Sequence, residues 1–369
     1  MAVKIFLQVL PLSTLSRADP DDLPDRTGAT GYIGGTALDC IVKAHPEHEY
    51  TLLVRDEQRA APIKAKYPNV KFAYGRLEDA TVLEKAAAEA DVVVHTADSS
   101  DNLAGAVAIA KGLKDGHSAD RPGYWIHTSG TAILTWYDTE QQRQGDAPLP
   151  EQKYRDVDDI DRIVDLPDTA PHRNIDKVVL AANSDAVRIA VVCPPTIYGP
   201  GTGAVNTRSI QVPDLVKATL SKGFAPIVGE GKTEWDHVHV QDLGDLFVKL
   251  VEASQDASRR ENPDVFGPRA YFFAENGTHS WADVAHWIAE AASRQGYLPE
   301  GLTKFVSVKE IQLMPEGNPT WGLNSKGVSQ RAAKYLGWQP KGAPLKDMIS
   351  ELVAQEAKDS GLTPKEKKG

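Results

Sequence analysis

The stretch that decides the fold is Thr27-Gly28-Ala29-Thr30-Gly31-Tyr32-Ile33-Gly34-Gly35. It has the form T-G-x-x-G-x-x-G, and a helical pattern over residues 33–44 follows it. In such a turn the first glycine permits a tight bend, the second lets a pyrophosphate approach the backbone, and the third lets helix pack on strand. Three glycines alone would also fit a flexible turn. The helix and strand that follow favour a dinucleotide-binding turn, because helix N-terminal amides attract anions.

The segment before the turn is at odds with this mechanism. Val3-Lys4-Ile5-Phe6-Leu7 has the composition of a buried strand, yet about twenty residues separate it from the turn, where almost none are needed. We interpret residues 7–26 as an irregular insertion, since Pro11 to Arg26 holds three prolines and four aspartates. The segment is either a functional insertion at the entrance of the cofactor site or an error in the gene model, and we favour the second explanation. Reading the N-terminus as a secretion signal would discard the strand, so we disfavour it.

The composition is that of an ordinary globular protein. The chain has 369 residues, 41% hydrophobic and 25% charged, with a net charge of -10. This acidic balance argues against nucleic acid or an anionic membrane as partner. No apolar run is long enough to span a bilayer. Cys40 and Cys193 cannot build a disulfide framework, which predicts a reducing, cytoplasmic location.

Strand and helix patterns alternate through the first two hundred residues. The predicted strands include 50–54, 70–74, 91–95, 124–127 and 186–192, and the helices between them include 58–67, 80–90, 103–113 and 176–183. Near-continuous apolar strands separated by helices predict an α/β fold: a Rossmann-type, doubly wound parallel sheet. Beyond residue 200 the pattern is mixed and predicts a smaller C-terminal α/β substrate lobe.

We therefore expect three regions. Residues 1–200 form the dinucleotide-binding domain, with the insertion at 7–26. Residues 201–357 form mainly the substrate lobe, although some later strands and helices return to the first domain. Residues 358–369 form a charged, disordered tail.

Residues 139–171 are polar and acidic. We interpret them as a solvated loop with a short helix. The carboxylates Asp156, Asp158, Asp159, Asp161 and Asp165 would also suit a divalent metal, but nothing in their spacing fixes a ligand geometry, and no metal is predicted.

Cofactor choice depends on the end of the second strand. An acidic residue there holds the ribose hydroxyls of NAD, whereas an arginine accommodates the 2′-phosphate of NADP. The chain has Arg55, which favours NADP and leaves NAD open, because Asp56 follows directly.

Several further segments, taken with the glycine turn, resemble the extended short-chain dehydrogenases/reductases of the NAD(P)-dependent epimerase/dehydratase type, in an atypical fungal branch. The resemblance runs from Thr27 to about Lys346. The segments are Val93-Val94-His95-Thr96-Ala97, His127-Thr128-Ser129, Asp176-Lys177, Pro195-Thr196-Ile197-Tyr198-Gly199-Pro200-Gly201, His237-Val238-His239-Val240-Gln241-Asp242-Leu243 and Leu336-Gly337-Trp338-Gln339-Pro340.

The resemblance implies catalytic roles for residues of this chain. Ser129 matches the serine that hydrogen-bonds substrate oxygen, with Thr131 a less favoured substitute. Lys177 matches the lysine that holds the nicotinamide ribose. The proton-donating tyrosine should stand four residues earlier, where this chain has Arg173. Arginine is a poor proton donor but can stabilise an oxyanion. His172, Tyr154 or Tyr198 would be the replacement acids, and none is assigned.

The resemblance also implies a cofactor site. Its predicted residues are Gly28, Thr30, Gly31, Tyr32, Ile33, Gly34, Arg55, Leu77, Thr96, Ala97, Lys177, Pro195, Thr196 and Ile197. The family's usual Gly-Asp-Leu after the third strand is Gly75-Arg76-Leu77 here, so the adenine loses an acceptor while backbone contact through Leu77 remains.

The sequence thus predicts an NADP-preferring oxidoreductase that transfers hydride between the cofactor and a small carbonyl or alcohol. One alternative is a nucleotide-sugar epimerase or dehydratase. The other is a non-catalytic NADP-binding redox sensor or regulator, favoured by Arg173 in place of tyrosine. The expected partner is a small-molecule substrate, and a homodimer is left open.

Overall fold

Seven parallel strands form the central sheet. The computed structural model describes residues 2–8 and 30–365. The strands of the chain are β1 (Lys4–Gln8), β2 (Glu49–Val54), β3 (Lys71–Tyr74), β4 (Val92–His95), β5 (Gly123–Thr128), β6 (Lys153–Arg155), β7 (Val187–Cys193), β8 (Thr196–Tyr198), β9 (Ala225–Val228), β10 (Glu234–His239), β11 (Tyr271–Phe273), β12 (Thr278–Ser280), β13 (Thr303–Val306) and β14 (Lys326–Val328). The central order is β11-β7-β5-β4-β1-β2-β3, every pair parallel. The predicted Rossmann-type α/β fold is confirmed.

The first strand occupies the middle of this sheet. Ile5, Phe6 and Leu7 are at most 1% exposed, because β1 has a paired strand on each side and packed elements on both faces. The strand order reverses between β1 and β4, and in such sheets ligands bind beyond the carboxyl ends of the strands at that point. The predicted insertion begins inside β1, since Leu7 and Gln8 belong to the strand, and residues 9–26 lie outside the described residues.

The helices are α1 (Tyr32–Ala44), α2 (Glu57–Lys66), α3 (Ala80–Glu89), α4 (Leu103–Gly116), α5 (Trp136–Glu140), α6 (Ile160–Val164), α7 (Arg173–Ala182), α8 (Gln211–Lys222), α9 (Val240–Gln255), α10 (Trp281–Arg294), α11 (Val308–Gln312) and α12 (Leu345–Asp359). Around the central sheet, α1 packs against α9, while α3 and α7 both pack against α4. Within the described ranges, no helix has the length and apolarity needed to cross a membrane.

A second apolar core lies in the C-terminal half. It brings together Trp235, Trp281 and Trp321, and the helices α8, α10 and α12 pack on one another around it. Smaller sheets, ordered β12-β10-β8 and β13-β9, belong to this half. Two later elements return to the first core, as β11 pairs with β7 and α9 packs on α1. The division at residue 200 stays a prediction.

The acidic segment differs from the predicted solvated loop at Asp156. The short helix is present as α6, but the Asp156 carboxylate is fully buried. It accepts backbone N–H bonds from Phe273, Gln330 and Arg331 at 2.8 to 3.0 Å. Burial raises the pKa of Asp156 to about 6, against the lowering effect of these amides. A local pattern could not reveal this role, because the three partners lie more than a hundred residues downstream.

The C-terminal tail is ordered further than predicted. Helix α12 continues to Asp359, and the chain then turns at Gly361, whose φ of 70° is left-handed. The amide of Leu362 donates to the carbonyl of Ala357, a bond that closes the helix end. The amide of Lys365 donates to Gly296, which ties the tail to the end of α10. Residues 366–369 lie outside the described residues.

Candidate active site

Three polar side chains end neighbouring strands at the switch point of the sheet. Gln8 lies opposite His95, and His95 lies opposite His127, and all three are fully buried. The two histidine Nδ1 atoms are 3.1 Å apart. Burial and the neighbouring His127 hold the pKa of His95 well below its usual value, so His95 is neutral. The side-chain amide of Gln8 has no hydrogen-bond partner among the described residues.

The glycine turn opens helix α1 beside these residues. Gly31 is the N-cap residue, in extended backbone and without a side-chain cap, and the first intrahelical bond runs from Gly35 to Gly31. The first amides of any helix lack intrahelical acceptors, so the N-terminus of α1 offers donors to an anion. Thr30 is buried, whereas Gly28 lies outside the described residues.

A loop from the C-terminal half covers this helix start. The hydroxyl of Tyr32 donates to the carbonyl of Gly199 at 2.6 Å, and the amide of Asn206 donates to Thr30. A Cβ atom on Gly203 would lie 2.9 Å from the Cα atom of Gly35, so the close approach of the two chains requires glycine. The loop therefore closes one wall of the site.

The other predicted cofactor residues lie at the ends of the same strands. Thr96 and Ala97 follow β4 and are buried, and the amide of Thr96 donates to the carbonyl of Gln8. Leu77 is buried after β3. Pro195, Thr196 and Ile197 follow β7, and the hydroxyl of Thr196 is buried without a partner in the described part of the chain.

Arg55 is exposed directly after β2. The neighbouring Asp56 is engaged elsewhere, because its carboxylate caps α2 by accepting the amide of Arg59 at 2.9 Å and pairs with the Arg59 guanidinium at 3.0 Å. The cation, rather than the carboxylate, is thus the group at this strand end that can meet a ligand.

Ser129 lies one residue beyond β5. Its amide donates to the carbonyl of Val192 at 2.8 Å, which ties the loop to β7. Its hydroxyl is buried beside the thiol of Cys193, a weak partner, and makes no hydrogen bond to an oxygen or nitrogen atom of the described residues. Thr131 is also buried with an unpartnered hydroxyl, and its carbonyl accepts a bond from Ser325.

The structure does not bring Arg173 and Lys177 to Ser129. The buried Arg173 guanidinium donates to the backbone carbonyls of Val164 and Leu166. The exposed Lys177 ammonium pairs with the exposed carboxylate of Asp168. Both side chains therefore hold the segment that precedes α7.

The N-terminal end of α7 brings His172 and Asp176 toward the sheet instead. His172 is the N-cap residue and precedes the helix, whereas Asp176 lies in its first turn. Asp176 is fully buried, accepts the hydroxyl of Tyr271 at 3.0 Å and lies 3.7 Å from Nε2 of His127. The imidazole of His172 lies beside Gly130 and contacts Asp101. His172 was among the predicted replacement acids, whereas the sequence pattern predicted no site role for Asp101 or Asp176.

These residues fit a nicotinamide dinucleotide. The N-terminus of α1 suits its pyrophosphate, and Gln8, Ser129 and Thr196 lie at or after the ends of strands β1, β5 and β7. Their buried polar groups have no oxygen or nitrogen partner among the described residues, and a bound ligand would supply one.

The chain belongs to the extended short-chain dehydrogenase/reductase family. The family model described as "NAD(P)H-binding" matches residues 28–119, and the model of the "NAD dependent epimerase/dehydratase family" matches residues 171–264. Among curated proteins, the oxidase UcsJ of Acremonium sp. is 38% identical over 349 residues, which cover 91% of this chain and 98% of that protein. An uncharacterized protein of Schizosaccharomyces pombe is 30% identical over 237 residues, 61% of this chain and 69% of that protein.

Solved structures share the fold at low identity. The dTDP-glucose 4,6-dehydratase DesIV of Streptomyces venezuelae, with NAD and TYD bound, has a TM-score of 0.61 and 16% identity, covering 90% of this chain and 96% of that chain. A UDP-glucuronic acid 4-epimerase variant of Bacillus cereus has a TM-score of 0.58 and 14% identity, covering 89% and 97%.

Proposed function

We propose that the chain is an NADP-preferring oxidoreductase that moves a hydride between the nicotinamide cofactor and a small carbonyl compound or its alcohol. The buried hydroxyl of Ser129, which has no oxygen or nitrogen partner among the described residues, carries this proposal. A hydroxyl left unpaired in the interior costs roughly 1–3 kcal/mol, which an oxygen atom of a bound substrate would offset. Ser129 lies at the edge of the sheet to which the glycine turn belongs, so a substrate on Ser129 would adjoin the cofactor.

The cofactor would bind along the strand ends. The N-terminus of α1, with Gly28 to Gly34, would hold the pyrophosphate, and Arg55 would meet the 2′-phosphate that distinguishes NADP from NAD. Thr96, Ala97, Leu77 and the segment 195–197 would line the remainder. When bound, the cofactor supplies or accepts the hydride. The role that the resemblance implies for Lys177, holding the ribose, would require its ion pair with Asp168 to open.

Titration of the purified full-length chain with NADPH and NADH, followed by intrinsic tryptophan fluorescence, tests the cofactor. NADPH consumption is then followed by absorbance with nitrobenzaldehyde, diacetyl and phenanthrenequinone as probe carbonyls. We expect tighter binding of NADPH than of NADH, and turnover of at least one probe. Binding of NADPH with no turnover of carbonyls, or of the matching alcohols with NADP, would contradict an oxidoreductase.

Arg173 favours a second candidate, a non-catalytic redox sensor. The position of the expected tyrosine is filled by a guanidinium that binds backbone carbonyls, so its only observed role is structural. A sensor would bind NADPH and NADP with different affinities and would show no turnover. A nucleotide-sugar epimerase or dehydratase is a third candidate, supported by the fold and by the family model that matches residues 171–264. Conversion of added UDP-glucose or dTDP-glucose into another product, without net consumption of NADPH, would identify an epimerase or dehydratase.

A further inference from the structure

The imidazole of His172 is held by acceptors at Nδ1 and faces Gly130 with Nε2. Its Nδ1 atom lies 3.2 Å from Oδ1 of Asp101 and 3.2 Å from the carbonyl oxygen of Ser100. Both partners are acceptors, so Nδ1 carries the proton that it shares with them. A Cβ atom on Gly130 would lie 3.5 Å from Nε2 of His172. The ring therefore turns Nε2 toward the residue that follows Ser129.

The backbone holds His172 in a conformation that side chains rarely adopt. Its φ of 65° is left-handed, although it is the N-cap residue of α7 and not a glycine. Among the described residues, three non-glycine positions have positive φ, and Asp98, in the loop that carries Asp101, is another of them. Such strain costs of order 1–3 kcal/mol and is concentrated at functional sites. Here it lies on both segments that meet at the imidazole.

We propose that His172 is the proton-transfer group of the site, replacing the absent tyrosine, and that Asp101 is the positioning residue that fixes its ring. This inference rests on the proposed function. In the reducing direction, hydride adds to the carbonyl carbon, the C=O π electrons move onto oxygen, and that oxygen takes the proton from Nε2 of His172. The imidazole is left neutral, with its remaining proton on Nδ1 toward Asp101. In the oxidising direction neutral Nε2 removes the hydroxyl proton.

The two tyrosines weighed as alternative acids are engaged elsewhere. The hydroxyl of Tyr198 donates to the carbonyl of Ala343 at 2.7 Å, and burial raises the pKa of Tyr198 to about 12. Tyr154 is buried on β6, and the guanidinium of Arg162 lies over its ring at 4.3 Å. The hydroxyl of Tyr198 is therefore a poor proton donor at neutral pH, and the ring of Tyr154 is covered by Arg162.

The charges around His172 suit the role. Burial lowers the pKa of His172, but the carboxylates of Asp101 and Asp176 and the carbonyl of Ser100 outweigh it and raise the pKa above the usual 6.5. Asp101 lies in the loop after β4, and Asp176 lies on α7 itself. The N-terminal amides of α7 oppose them, since a helix N-terminus disfavours a cation. Histidine can both donate and accept a proton near neutral pH, and a raised pKa increases the fraction of His172 that is able to donate.

The test compares His172→Gln with His286→Gln, an exposed histidine of α10 whose Nδ1 contacts the carbonyl of Ala282. With nitrobenzaldehyde as probe, His172→Gln should lower kcat/KM for NADPH-dependent reduction by about 10²- to 10⁴-fold, the usual contribution of acid catalysis, with NADPH affinity unchanged. His286→Gln should match the wild type. Proton NMR of the cofactor-free protein should show the His172 ring titrating above pH 6.5, and at lower pH in Asp101→Asn.

The pH profile separates a proton-transfer role from a structural one. Reduction needs protonated His172, so kcat/KM should fall as the pH rises through the His172 pKa, and Asp101→Asn should move that fall to lower pH. Wild-type kcat/KM in a correctly folded His172→Gln, or an unshifted pH profile in Asp101→Asn, would overturn the inference while the oxidoreductase stands. A wild-type chain that binds NADPH but turns over no probe would overturn the proposed function and the inference together.

Discussion

The hydroxyl of Tyr67 lies 2.7 Å from Oδ1 of Asp39, a fully buried carboxylate on the helix that the glycine turn opens. Lys66 approaches the same carboxylate to 3.0 Å and Lys43 approaches it to 2.6 Å. Burial by itself would raise the pKa of Asp39, but the hydrogen bonds of Lys43, Tyr67 and Lys66 lower it to about 2. The carboxylate thus joins α1 to the end of α2.

This pair predicts an acid-sensitive contribution to stability. Because the folded-state pKa lies below the usual 3.8, the contribution is complete above about pH 4 and is lost as the pH falls toward 2. Asp39→Asn should lower the free energy of unfolding by roughly 2 kcal/mol at pH 7, and by less at pH 3. Urea unfolding at the two pH values measures this. Lys43→Ala, which removes a mostly exposed partner, should cost under about 1 kcal/mol. If Asp39→Asn lowers the free energy of unfolding equally at both pH values, the pKa of Asp39 is not lowered in the folded state.

Arg55 should set the preference between the two cofactors. Arg55→Asp removes the cation and places a carboxylate near the 2′-phosphate, so the Kd of NADPH should rise about tenfold or more, while that of NADH changes little. Fluorescence titration measures both constants. Lys64→Ala, on the exposed side of α2, serves as the control and should leave both unchanged. If the Kd of NADPH and the Kd of NADH rise by the same factor in Arg55→Asp, the arginine does not contact the 2′-phosphate.

Ser129→Ala should reduce turnover without weakening the cofactor. If the hydroxyl donates to the substrate oxygen, its loss should lower kcat/KM by about 10²- to 10³-fold, comparable to the loss of an oxyanion donor. Thr131→Val is the matched control, because that hydroxyl is also buried and unpartnered. Steady-state kinetics with a probe carbonyl give the result. A larger loss in Thr131→Val than in Ser129→Ala would transfer the role to Thr131.

Lys177→Ala should leave NADPH affinity unchanged. Its ammonium group pairs with Asp168 at the exposed surface, where water and salt screen the two charges, so the variant should also unfold at nearly the wild-type urea concentration. Urea unfolding and NADPH titration of the variant measure the two quantities. A tenfold weaker NADPH complex would establish instead that Lys177 leaves Asp168 to hold the cofactor, as the family resemblance implies.

The alternation of strands and helices could be predicted because it depends on local patterns. The apolar run at 91–95 corresponds to β4, and the alanine-rich segment 80–90 corresponds to α3. Asp79 is the N-cap residue of α3, but its carboxylate accepts the preceding Arg76 amide and not one from the helix.

The candidate site was less predictable because it depends on helix phase and on distant pairings. Transferring the family's tyrosine–lysine spacing onto Arg173 and Lys177 ignores that a shift of one residue rotates a helical side chain by about 100°. On α7 the side chain of Asp176 is buried whereas that of Lys177, the next residue, is exposed, and His172 precedes the helix in a left-handed conformation. The partner of His172 is Asp101, 71 residues away, and no pattern along the chain connects the two.

The central place of β1 has a consequence for how the chain stays apart from other chains. Without Lys4–Gln8 the sheet would divide into β2 with β3 and a second piece beginning at β4, leaving two long unpaired edges in its middle. Exposed edges of parallel strands recruit strands from other molecules. A chain that lacks residues 1–8 should therefore aggregate, measurable by light scattering, and a synthetic peptide of residues 1–8 should suppress the aggregation. By pairing with β2 and β4, strand β1 occupies the two edges at which another chain would otherwise bind.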